Sequence, residues 1–157
     1  MEPMSTPWLG PDEQRAWRGW VEVHARLNAR IHRQLQEASG LSLADYAILV
    51  ELTSERASDG SARMFELGER LAWEKSRVSK QVTRMEARGL VVRRHCPDDR
   101  RGSYVDLTDA GRAAIEAAAP AHVKLVREMF FDVVPHEDVL RLADLTTAVL
   151  ARLDATD

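Results

Sequence analysis

The sequence predicts a mainly α-helical fold with a small β-hairpin wing, that is, a winged helix-turn-helix flanked by dimerisation helices. Three observations predict it. Apolar residues recur at spacings of three and four toward both ends of the chain, the period of helices with one buried stripe. Between them, two short helical stretches lead to Gly89, after which the period changes to that of a strand, a turn and a returning strand. Basic charge is gathered in that same unit. From Arg63 to Arg101, eleven Lys and Arg stand against six Asp and Glu, whereas the whole chain sums to −3. An acidic protein that concentrates positive charge on one helix and one hairpin aims it at a polyanion, and duplex DNA is the first candidate.

The 157 residues suit one domain with a real core. Residues 1–11 carry three prolines and no period and read as a flexible arm; residues 12–157 read as a single domain. Within it, 41–107 is the winged unit and 12–40 plus 108–157 the helical dimerisation region. No apolar run approaches the roughly 18 residues of a spanning helix, and MEPMSTPW lacks the basic and apolar regions of a signal peptide, so a cytoplasmic protein without a membrane partner is expected. The single cysteine excludes an internal disulfide. No phosphate-cradling loop, nucleophile elbow or His-Glu-x-x-His is present, so an enzyme is not expected. His24 and His32 are too far apart to share a metal, and neither metal nor cofactor is expected.

The elements follow in order. From Asp12 to about Ala38, Trp17, Trp20, Val21, His24, Leu27, Ile31 and Leu35 form one helical stripe, and Gly40 ends it. Ser42 suits the N-cap of a second helix, with Leu41 and Tyr46 placed as a hydrophobic staple. Phe65 to Leu71 and Lys75 to Arg88 are the two short helices, and Gly89 takes the position where a left-handed backbone is wanted. Leu90 to Arg94 is a strand, CPDDRRG its turn, and Tyr104, Val105 and Leu107 the return. Thr108 caps a helix from Asp109 to about Phe131, in which Pro120 predicts a kink or break. Pro135 sits in the first turn of a last helix whose stripe is Val139, Leu142, Leu145, Val149 and Leu153. The long first helix and the last two helices have more stripe than the middle unit can cover. A homodimer satisfies them; the alternative is a monomer in which they bury one another. Two-fold symmetry also suits an inverted-repeat site on double-stranded DNA.

On the helix Lys75 to Arg88, Val78, Val82 and Met85 share one face. Ser76, Lys80, Thr83 and Arg84 fall opposite, with Arg77 and Gln81 at the flanks. Arg and Lys can donate to guanine and Gln can pair with adenine in the major groove, so Arg77, Lys80, Gln81 and Arg84 are the expected base readers. Ser76 and Ser79 are expected on phosphates. The hairpin carries Arg93, Arg94, His95, Arg100 and Arg101, and arginines on such a ribbon can follow the backbone or enter the minor groove. Asp98 or Asp99 can pair with one of those arginines and fix the loop. Cys96 has basic neighbours that favour its thiolate, though an incidental exposed thiol is the plainer reading.

The run LGERLAWEKSRVSKQVTRMEARGLVVRR, followed by DDRRGSYVDLTDAGR, resembles the multiple-antibiotic-resistance regulator (MarR) family. The wing pattern D-x-R-x-x-x-V-x-L-T-x-x-G is matched by Asp99, Arg101, Val105, Leu107, Thr108 and Gly111. The preceding G-L-V-x-R is matched by Gly89, Leu90, Val91 and Arg93. The resemblance implies an intertwined homodimer that regulates transcription, more often by repression, and is often released from DNA by small aromatic or phenolic ligands. It also implies Arg101 as the minor-groove arginine, held by Asp99. In similar proteins the ligand lies between the dimer helices and the reading head. The candidates are then Trp17, Trp20, His24, Tyr46 and Trp73, with His24 or Arg26 meeting a polar group. Core packing explains the first three equally well. The alternative function is a winged protein-interaction module without specific DNA binding.

Overall fold

The computed structural model describes residues 8–96 and 99–155, with side chains outside 96–101. Most of the expected arm therefore lies outside the described residues. The order is α1 (Pro11–Ser39), α2 (Leu43–Thr53), β1 (Ser61–Arg63), α3 (Met64–Leu71), α4 (Lys75–Ala87), β2 (Val91–Cys96), β3 (Asp99–Leu107), α5 (Asp109–Val126), a π-turn (Arg127–Phe131) and α6 (His136–Asp154). No described helix is long and apolar enough to cross a membrane.

Local chemistry sets the boundaries of the first two helices. The backbone N–H of Gly10 donates to the Glu13 carboxylate at 2.7 Å, and Gly40 ends α1 at φ +67°. Ser42 and Asp45 form a reciprocal capping box, the Ser42 hydroxyl accepting from the Asp45 N–H and the Asp45 carboxylate accepting from the Ser42 N–H. In α2, Tyr46, Ile48, Leu49 and Leu52 are buried and meet Val78, Val82 and Met85 of α4 and Val105 of β3 in one core.

The hairpin is part of a three-stranded antiparallel sheet in the order β1-β3-β2. β1 is not expected from the sequence. Three residues are too short to show a period, and the strand exists through its pairing of Ala62 with Val105. The CPDDRRG turn is also corrected. β2 continues to Cys96 and β3 begins at Asp99, so most of the expected turn is strand, and residues 97–98 lie outside the described ones.

The junction between sheet and α5 explains the T-x-x-G of the wing pattern. Thr108 caps α5 by accepting from the Gly111 N–H at 3.0 Å, and its hydroxyl reaches the Gly89 and Leu90 carbonyls at 2.6 and 2.9 Å. Gly111 is buried there. A Cβ on it would stand 2.1 Å from the Leu90 carbonyl oxygen and 2.8 Å from the Leu107 side chain.

Pro120 does not break the next helix, which runs unbroken from Asp109 to Val126. Pro120 and Glu116, whose carbonyl loses its donor, are both exposed, so water can take over that bond. The irregularity comes later, where the Asp132 N–H donates to the Arg127 carbonyl and widens the turn. Pro135 stands at the N-cap of α6, one place before the expected first turn.

The helical stripes are largely uncovered within one chain. In α1 only Ile31 and Leu35 are buried, and Trp17 and Trp20 are about half exposed. No residue of α6 is buried, and Leu145 is 64% exposed. Within one chain these stripes of α1 and α6 therefore stay largely uncovered.

Gly111→Ala should destabilise the fold by about 1–3 kcal/mol, the usual cost of overpacking, because the obstructing atom is backbone. Glycine to alanine in an unobstructed helix gives the opposite sign. A fall in the thermal midpoint checks this; an unchanged or raised midpoint would show that the junction yields.

Candidate nucleic-acid interface

The orientation of α4 follows from what it buries. Val78, Val82 and Met85 are fully buried, which turns Ser76, Lys80, Thr83 and Arg84 out to solvent, with Arg77 beside them. Among the described residues, Lys80 and Arg84 meet no hydrogen-bonding or ion-pair partner. Two cations are therefore presented without neutralisation on the face that a groove would receive.

One carboxylate fixes that face. Asp45 is 2% exposed. Its Oδ1 accepts from Gln81 Nε2 at 2.6 Å, and its Oδ2 accepts from Arg88 Nη1 at 2.7 Å and from the Ser42 N–H at 2.8 Å. Arg88 Nη2 also donates to the Gly40 carbonyl at 2.9 Å. The corner between α1 and α2 is thereby tied to the middle and the end of α4. Gln81 is the correction this brings. Expected to read adenine, it is buried, and its amide is committed to Asp45; α2 covers that flank of α4.

The other flank is held from the wing. Arg93 donates through Nη2 to the Ser79 carbonyl at 3.1 Å and the Thr83 hydroxyl at 3.2 Å, while its backbone N–H donates to Glu86 at 2.7 Å. Ser79 is thus half-buried beside Arg93 instead of standing clear with Ser76. Arg94 is engaged on the sheet. Its Nε and Nη2 donate to the two oxygens of Asp106 at 2.8 and 3.1 Å, and its guanidinium lies over Tyr104 at 4.7 Å. The hydrogen bond from Arg94 holds the Asp106 carboxyl below its ordinary range, against the opposing effect of burial. Asp99, Arg100 and Arg101 lie on β3 by their backbone. Their side chains, and with them the expected pairing of Asp99 with Arg101, fall outside the described residues, as does the Cys96 thiol.

The five expected ligand residues do not converge on one cavity in this chain. Trp17 and Trp20 stand exposed on α1, and His24 pairs with Asn28 on the same helix. Tyr46 is buried against His122 of α5, with ring centroids 4.6 Å apart. Burial raises the Tyr46 pKa and lowers that of His122. Trp73 lies beneath the Arg77 guanidinium, 4.1 Å away. A cleft of about 740 Å³ opens instead between α1 and the π-turn, lined by Val23, Leu27, Met129 and Phe130 with Arg26, Arg30 and Arg33. Arg26 pairs with Glu22, whereas Arg30 and Arg33 have no partner among the described residues. Only Arg26 of this set was anticipated. The available signal was three arginines at helical spacing beside an apolar stripe.

Asp45→Ala should lower stability by about 2 kcal/mol, since it strands a buried amide and a guanidinium that is only partly solvated. A thermal midpoint equal to that of the unaltered protein would contradict this role.

A model of the MarR family matches residues 39–102. The structure of Sco3205, a MarR family transcriptional regulator of Streptomyces coelicolor solved in complex with DNA, is 34% identical. It superimposes with a TM-score of 0.86 over 92% of this chain and 90% of that one. AbsC, another MarR family transcriptional regulator of Streptomyces coelicolor, is 37% identical over 96% of this chain and 99% of its own, with a TM-score of 0.87. BpsR of Bordetella bronchiseptica, whose DNA binding is regulated by 6-hydroxynicotinic acid, is 25% identical over 83% of this chain and 98% of its own, with a TM-score of 0.66. With its winged head, its solvent-facing cations on α4 and relatives that match it nearly end to end, this chain belongs to the MarR family of DNA-binding transcriptional regulators.

Proposed function

We propose that the protein acts as a homodimeric repressor that reads an inverted-repeat operator and leaves it when a small aromatic ligand binds. The observation that carries the DNA part is that Lys80 and Arg84, on the exposed face of α4, meet no partner among the described residues. Ser76 and Arg77 stand in its first turn, and the wing carries Arg100 and Arg101, with Arg94 engaged on Asp106 beside them. The exposed stripes of α1 and α6 favour a second copy as their cover. Two reading heads related by a two-fold axis fit half-sites about one helical turn apart. The regulation of BpsR by an aromatic acid favours a similar effector here. The cleft beside Arg30 and Arg33 offers apolar walls and two cations to such an anion.

The test is selection of genomic fragments by the purified protein at two salt concentrations. Recovery of one inverted repeat is the expected result; no enrichment at either salt favours the interaction-module alternative. On the recovered site the damage should be uneven. Arg84→Ala should reduce discrimination at one base position by about 1–3 kcal/mol. Arg101→Ala should weaken all duplexes alike and flatten the dependence of affinity on salt. Equal loss on every sequence for both variants would remove the base-reading role of Arg84.

A further inference from the structure

We propose that Trp73 is a positioning residue of the DNA interface: its indole holds Arg77 in a preset geometry at the entrance to α4, so that the arginine reaches DNA already ordered. The inference rests on the DNA reading given above and assigns the aromatic of the α3–α4 turn to that surface instead of to an effector pocket.

The turn fixes the indole first. Ala72 is left-handed at φ +51°, and the Trp73 N–H donates to the Gly68 carbonyl at 2.8 Å, so the backbone beneath the side chain is closed into α3. The ring packs in part against the hydrophobic core and is half-buried. Arg77, four residues later, lays its guanidinium over that ring at 4.1 Å, well inside the range of a cation–π contact. A stacked guanidinium uses its face. Its donors lie in the plane and point outward from the edge, so the fork stays available for a phosphate or for guanine O6 and N7. Arg77 is exposed, and those donors meet no acceptor among the described residues.

Charge placement gives a separate argument. A helix N-terminus favours acids and disfavours cations. The other α-helices, α1, α2, α3, α5 and α6, each carry an acid in the first turn. α4 carries none there and places Lys75 and Arg77 in that turn instead. Glu74 precedes it, but its side chain makes no capping hydrogen bond. The local electrostatics of α4 are thus unfavourable in the free protein and become favourable when an anion arrives at the first turn. Holding Arg77 on the indole completes that arrangement, because ordering a long side chain at the moment of binding costs roughly two- to tenfold in affinity. Trp73 does the ordering when the chain folds.

The experiment measures affinity for the duplex that the unaltered protein enriches from a randomised library, together with the Arg77 side-chain Nε–Hε resonance in the free protein. The resonance should be displaced by the ring current, and the displacement should vanish in Trp73→Leu and persist in part in Trp73→Phe. Arg77→Ala should lose about tenfold or more in affinity and Trp73→Leu roughly two- to tenfold. The double variant should be no weaker than Arg77→Ala alone, and Trp73→Phe should recover part of the loss. Arg77→Lys, an exposed change that keeps the charge, should bind less well at an unchanged thermal midpoint. Full affinity in Trp73→Leu, or losses that multiply in the double variant, would overturn the positioning role while leaving DNA binding intact. Failure of the unaltered protein to enrich any duplex would overturn the DNA reading and this proposal with it.

Discussion

The reading face depends on a buried carboxylate. Asp45 is withdrawn from water, so its charge must be met by donors within the protein, and two of the three it has are Gln81 of α4 and Arg88 at the C-cap of that helix. The third comes from the N-cap of its own helix, which makes one side chain both the capping partner that starts α2 and the anchor of the helix that carries Lys80 and Arg84. Arg88 extends the tie to Gly40, where the long first helix ends. The direction in which Lys80 and Arg84 leave the protein is therefore set twice, by the burial of Val78, Val82 and Met85 and by the polar link through Asp45. Close packing resists displacement of the helix, and a hydrogen-bonded carboxylate adds directional constraints to it.

The wing is held by the same logic from the opposite side. Arg93 bonds the α4 backbone at Ser79, and Thr108 bonds the carbonyls of Gly89 and Leu90, so head, sheet and α5 form one body. This divides the arginines of the basic unit into two kinds. Arg88, Arg93 and Arg94 meet carboxylates or carbonyls inside the protein, whereas Arg77 and Arg84 keep their donors for something outside. The charge surplus between Arg63 and Arg101 points correctly at a polyanion, yet counting cannot tell a strut from a contact. Only the position of the acids, Asp45, Glu86 and Asp106, separates them.

That distinction marks how far the sequence could be read. Features decided within a few residues were legible: Gly40 and Gly89 in left-handed backbone, the caps at Ser42 and Thr108, and the apolar face of α4. Features decided by a distant segment were not. Gln81 lies at the edge of a helical wheel, and whether that edge is wet depends on α2, thirty-six residues earlier in the chain. β1 has no pattern of its own and exists because β3 is there to pair with it. Pro120 shows the reverse case, a strong local signal overridden because the lost hydrogen bond faces water. The ligand aromatics failed for a further reason. Trp, Tyr and His suit core, cleft and stacking partner alike, and Trp17, Tyr46 and Trp73 are found in three different settings.

The α1 and π-turn cleft bears on how a ligand and DNA could be linked. No residue of α3, α4 or the sheet lines it, so a molecule seated there has no contact through which to displace the reading face directly. A site can influence another only by binding one arrangement of the whole more tightly than another. The head is a single body tied to the end of α1 at Gly40, so in the proposed dimer the arrangement open to change would be that of one head relative to the other. The cleft is built from α1, whose exposed stripe is a surface on which that relative placement would be set. On this argument an effector would leave the face of α4 unaltered and act on the spacing between two such faces. A palindromic operator is more sensitive to that spacing than to any single side chain, because both heads must find their half-sites at once.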